Sequence, residues 1–185
     1  MPKLYSITCL LLVFFLLRAD IAQSQLYGTN NGIITFNSDA PLELIKAASN
    51  EMRGKFDVAK KAFAFTVKIN SFTGFNSPLQ KEHFNENYLE SVLYPSASFS
   101  GKIIEDIDFT KDGTYEIRAK GNLSINGVVQ ERIIKSSLVI KDGKINIRSG
   151  FTVLLNDHNI PIPKVVHEKL ASEIKVEVKA ELILS

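Results

Sequence analysis

Cysteine is nearly absent from this chain: the 185 residues contain one, Cys9, and it lies in an apolar run near the N-terminus. Everything after residue 24 therefore has no thiol nucleophile and no disulfide framework, and must be held by burial alone, which favours one sizeable core over a small stapled scaffold. Long hydrophobic runs are missing as well. The stretch from Ile7 to Leu17 is closed by Arg18 and Asp20 and falls short of the roughly 20 residues needed to cross a bilayer. With Lys3 ahead of it and Ala22-Gln23-Ser24 behind, it reads as an export signal cut after Ser24. Residues 1–24 are then a signal peptide, residues 25–185 a single domain in the periplasm or outside the cell, and no stable membrane anchor is expected. Cys9 stands near the start of the run, whereas a lipid-modified cysteine would stand at its far end, so a lipoprotein is not expected either.

A charge of one sign is also lacking. The whole chain has 22 basic and 20 acidic residues, Lys and Glu are interspersed, and no basic block recruits nucleic acid or an anionic membrane. Repeats, low-complexity tracts and Pro/Gly/Ser-rich linkers are absent, which argues against a second domain. No G-x-S-x-G elbow and no glycine-rich phosphate cradle is present, and Glu105-Asp106 reads as a pair of solvated turn carboxylates rather than an acid–base couple. Catalytic residues, cofactors and a resident metal are therefore not expected.

What the sequence does contain is alternation with period two, the mark of strands with one buried and one wet face. Phe63, Phe65, Val67 and Ile69 alternate with Ala64, Thr66 and Lys68, and Ile174 to Leu184 alternates apolar with charged residues. Asp112-Gly113, Asn126-Gly127 and Asp142-Gly143 are tight-hairpin pairs. Strands are predicted at 32–37, 53–58, 62–70, 96–104, 113–122, 128–141, 144–155 and 172–184, enough for an all-β, eight-stranded antiparallel barrel able to enclose one elongated ligand. Helical connections are predicted at Pro41–Ser49, capped by Asp39, at Glu82–Ser91 and at Pro163–Ala171. Alternation nominates Phe63, Phe65, Val67, Phe99, Ile103, Tyr115, Ile117, Phe151 and Val153 as inward residues. A filled core would show the same pattern, so periodicity leaves core and cavity open. His83, Glu86 and Glu90 would share a helical face, but this loose spacing lacks the tightness of a zinc motif and reads as a polar cap on the barrel end.

One segment is more specific. Glu82–Ser91 (EHFNENYLES), followed by Tyr94-Pro95 and Phe99, resembles the stretch before a central strand in the bacterial YceI-like proteins. The likeness extends over Thr35–Ser49, Phe63–Ser77, Gly121–Val128 (GNLSINGV) and Phe151–Val166, while Asp157-His158-Asn159-Ile160 departs from the family pattern. The resemblance implies a secreted lipocalin-like barrel with an apolar lumen that binds an isoprenoid lipid without covalent chemistry, the nine inward residues being its ligand-binding wall. A homodimer is left open. The rival expectations are a structural or partner-binding module with a filled interior, and a lipid-modifying enzyme, for which Tyr115 is the one titratable side chain among the nine.

Overall fold

The computed structural model describes residues 25–185; the expected export signal lies outside them. The chain runs through eight strands, β1 (Leu26–Asp39), β2 (Leu44–Asp57), β3 (Ala62–Lys68), β4 (Ser96–Ile103), β5 (Gly113–Ile125), β6 (Val128–Lys141), β7 (Lys144–Leu154) and β8 (Glu173–Leu184). Each pairs antiparallel with the next and β8 closes on β1, giving an up-and-down barrel without a free edge. Five of the eight strands start and end within two residues of the periodicity reading, and β5 runs three residues past it. The first two extend well beyond it, and β1 is kinked by register shifts between Thr29 and Ile34 that pack Gly32 against Met52.

Two tight turns follow the sequence signals. Asn126-Gly127 and Asp142-Gly143 both have positive φ at each residue, 51° and 72° in either case, as a type I′ hairpin requires. Asp112-Gly113 does not make such a turn. Gly113 opens β5, and β4 reaches it through a nine-residue connection, 104–112, whose Phe109 turns inward. The helix predicted at Pro41–Ser49 is also replaced, because β2 begins at Leu44. Its Ala47 and Ser49 are buried on the inner face and its backbone is paired with β1 from Leu44↔Asp39 to Ser49↔Ile34, so tertiary pairing overrides local helix preference. At 163–171 only a short turn at Lys164–Val166 is helical. At 82–91 helical structure forms, but earlier: α1 (Pro78–His83), capped by the Ser77 hydroxyl, runs on into a wider turn over Phe84–Tyr88.

The two barrel ends differ. At one end Phe109 packs its ring 5.0 Å from Phe56, and both belong to a buried cluster with Tyr27, Ile140, Ile145 and Leu182. Ion pairs fasten the connection that carries Phe109. Arg118 donates its backbone N–H and its Nε to Glu105, at 2.6 and 2.7 Å, and these bonds hold that carboxyl below the usual carboxylate range. Asp106 pairs separately with Lys61. The neighbouring acids thus serve two different ion pairs. The opposite end carries the long connections 69–95 and 155–172 and forms the mouth.

Candidate functional site

The barrel is hollow. An elongated cavity of about 250 Å³ runs from Met52, Phe56 and Ile145 near the plugged end to Tyr88, Leu170 and Ile174 at the mouth. It exceeds the roughly 150 Å³ apolar cavity that is known to stay dry and to bind small hydrocarbons. Its lining is almost wholly aliphatic and aromatic, and no charged residue is among the lining residues. Inward side chains in mid-strand, among them Ile34, Phe36, Phe65, Phe99, Ile147 and Val178, keep partial accessibility. Side chains flanked by neighbours in a filled barrel would be fully covered; here they face space.

Eight of the nine residues nominated from alternation, Phe63, Phe65, Val67, Phe99, Ile103, Ile117, Phe151 and Val153, line this cavity. Tyr115 does not. It lies on β5 beyond Ile117 toward the plugged end, and its hydroxyl donates to the Lys111 carbonyl at 3.1 Å, so it staples the 104–112 connection instead of facing the lumen. The aromatic wall is built across strands: Phe63 and Phe99 stand 5.0 Å apart, and Phe63 and Phe65 6.0 Å. Phe65 covers Gly54, its partner on β2; a Cβ built on Gly54 would come within 1.9 Å of the Phe65 ring. The missing side chain is what lets that ring lie against the wall.

Sequence reasoning took 82–91 as a polar cap on the barrel end and missed the apolar side chains that build the mouth. Phe84, from the turn after α1, stacks on Phe36 with ring centroids 5.3 Å apart and lies 5.0 and 5.7 Å from Phe75 and Phe72. Tyr88 and Leu89 extend the same wall. The recoverable signal was the spacing of Phe84 and Tyr88, four residues apart inside an otherwise polar decapeptide, which places both on one helical face. Burial raises the Tyr88 hydroxyl above its ordinary pKa. Tyr94 closes over the β5–β6 turn, where a Cβ on Gly127 would meet its ring at 2.4 Å. His83, Glu86 and Glu90 are exposed, and among the described residues no three His, Cys, Asp or Glu side chains converge as a metal set.

The other side of the mouth is the 155–172 connection. Leu155, Ile160 and Leu170 face the cavity, and Leu170 also faces a surface groove lined by Asp39, Lys164, His167 and Lys175. His158 anchors this connection, fully buried. Its Nδ1 donates to the Val128 carbonyl at 3.3 Å, while Nε2 has no partner among the described residues. Desolvation lowers its pKa from 6.5, outweighing the carbonyls of Val128 and Ile125 and the charge of Asp157 that favour protonation. The unfolded chain therefore binds the proton more readily. Stability contributed here is intact above about pH 6.5 and is lost as the pH falls toward the folded value. Urea midpoints at pH 7.5 and 5.5 should show a drop in wild type that is smaller in His158→Asn, which keeps a donor for Val128 but cannot charge. Equal drops would refute this account.

Comparison with known proteins meets this geometry. A family model described as the YceI-like domain matches residues 27–182. The chain belongs to the YceI-like family. Solved structures agree on the fold. A polyisoprenoid binding domain from Saccharophagus degradans, implicated in plant cell wall breakdown, has a TM-score of 0.74 at 9% identity, covering 88% of this chain and 100% of the other. Burkholderia cenocepacia BcnA follows with 0.65 at 14% identity, 82% and 95% covered, and a Campylobacter jejuni YCEI protein with 0.57 at 18% identity, 74% and 83% covered. A search of the curated proteins gives no match. The YceI-like match takes in β2 to β7 whole, all but the outer one or two residues of β1 and β8, and both long connections at the mouth, so the hollow lumen lies within the shared domain.

Proposed function

We propose that this YceI-like barrel binds and carries a long apolar lipid of isoprenoid type, held in the lumen without covalent chemistry. The observation that carries this reading is the elongated cavity with no charged side chain in its wall. Withdrawing a lipid chain into it gains on the order of 25 cal/mol per Å² of apolar surface. The description of the Saccharophagus degradans domain as polyisoprenoid binding supports the ligand class. Among the described lining residues the one titratable side chain is Tyr88 at the mouth, a phenol without a carboxylate, imidazole or amine beside it in the wall, which favours a binding role over acid–base catalysis. Ligand enters and leaves past the 69–95 and 155–172 connections, since Phe109 and Phe56 pack the other end, and the lipid's polar end stays near Tyr88.

The working place of this carrier is outside the cytoplasm, after removal of residues 1–24. Protein purified gently from its own cells, without detergent, is the test. Organic extraction and mass spectrometry should return a long-chain lipid near one per protein, from a chain that begins close to Gln25. Protein that is empty, and stays empty after incubation with an excess of isoprenoid lipids, would overturn the carrier reading.

A further inference from the structure

A polar notch sits half-way down the apolar lumen. Ser136 on β6 and Ser149 on β7 are register partners, both line the cavity, and their hydroxyls are hydrogen-bonded to each other. Their neighbours at the same level are Ile117 on β5 and Val178 on β8, so the pair is enclosed by aliphatic groups. Ser149 lies five residues in from the last residue of β7 at the mouth, roughly 16 Å along the strand.

Two serine hydroxyls own two hydrogens, and a bond between them uses one. The other has no acceptor: among the described residues neither hydroxyl has a second hydrogen-bond partner. A second inward serine shows the contrasting case. Ser49 is bonded to Ser71, Ser71 donates onward to the Lys68 carbonyl at 2.6 Å, and the Glu51 N–H donates to Ser49, so that chain is closed and spends every hydrogen. It also lies outside the cavity wall. The Ser136–Ser149 pair, by contrast, offers one unspent O–H to whatever fills the lumen, where the low polarity makes an unmet donor costly and a met one strong.

We infer that the lumen ligand carries a neutral oxygen acceptor, a carbonyl or hydroxyl, at the depth of Ser136 and Ser149, and that this pair selects it against a bare hydrocarbon chain of equal length. The inference rests on the carrier reading and narrows its ligand class. A charged oxygen is excluded at this depth, because no Lys, Arg or His is present in the wall to pair with it. A neutral one needs a single donor, and the pair supplies it.

The experiment uses residues 25–185 as the folded protein and a series of straight-chain probes of one length: the parent hydrocarbon and ketones with the carbonyl moved along the chain. Affinities come from displacement of a fluorescent fatty probe. One carbonyl position should bind about tenfold tighter than the hydrocarbon, the gain expected of a single buried hydrogen bond, and in the Ser136→Ala/Ser149→Ala double variant the ratio of ketone to hydrocarbon affinity should fall to about one at every carbonyl position. A flat series in wild type, or a preference that survives the double variant, overturns the inference and leaves the carrier reading standing. Failure of every probe to bind wild type removes the carrier reading and the inference together.

Discussion

Phe65→Asp should abolish lipid retention, while Ala64→Asp, one residue away, should leave it intact. Phe65 projects into the lumen, 6.0 Å from Phe63, and lines the cavity. A carboxylate there has no cation to pair with, and an unpaired charge facing apolar surroundings costs several kcal/mol even after relaxation. The group must then either draw water into the lumen or take up a proton, and both outcomes remove the apolar wall a lipid chain needs. Ala64, between Phe63 and Phe65, faces outward, is exposed, and is not among the residues that line the cavity. An aspartate there stands opposite Lys55 across the β2–β3 ladder and costs about 1 kcal/mol at most through lower strand preference. Extracted lipid per protein, measured for wild type and both variants, decides the matter. Equal retention in Phe65→Asp and wild type would mean that the lipid lies elsewhere.

The contrast depends on parity, and parity is what the sequence expresses most clearly. On β3, β7 and β8 the alternation is uninterrupted, so the strand limits and the inward faces of Phe63, Phe65, Val67, Phe151 and Val153 were readable before any coordinates. On β1 the shifts around Gly32 break the period, which hid Ile34 and Phe36 from the reading. On β2 the stretch Pro41–Ser49 has helical composition, and only the ladder with β1 makes a strand of it. Tyr115 failed for a different reason. Alternation gives the face of a residue but not its depth, and at the plugged end an inward face meets Phe109 and the 104–112 connection rather than open space.

The mouth was the least legible part. Phe84 reaches Phe36, Phe72 and Phe75 because α1 and the turn after it fold back over the barrel end, a packing that no local period encodes. Family likeness marked the same decapeptide as special without saying why. The reason is visible in the structure: its polar residues face water, while Phe84, Tyr88 and Leu89 complete a wall that eight strands leave open. His158 does the corresponding work opposite, holding 155–172 against Val128.

Beside Phe63, whose register partner is Gly101, two glycines set the shape of the lumen, and changing either should damage the fold more than most single substitutions. Gly101 on β4 and Gly121 on β5 are register partners on the inward face, in step with Phe99 and Ile103 and with Ala119 and Leu123. A Cβ on Gly121 would stand 2.2 Å from the Ser100 carbonyl oxygen and 3.0 Å from Gly101 Cα, and one on Gly101 would stand 2.1 Å from the Lys120 carbonyl oxygen. These are backbone atoms, which cannot rotate away as a side chain would, so the ladder itself must part. Gly121→Ala is expected to destabilise by about 3 kcal/mol, the upper range for overpacking, and to shear Phe99 away from Phe63. Gly150→Ala is the control: it sits in β7 with nothing within 4 Å of the added carbon and should stabilise by about 0.5 kcal/mol through a less mobile unfolded chain. Urea denaturation of both variants reads the difference directly. If Gly121→Ala unfolds at the wild-type midpoint, β4 and β5 do not approach as closely as the paired glycines require, and the lumen must be wider there than the positions of Phe99 and Leu123 allow.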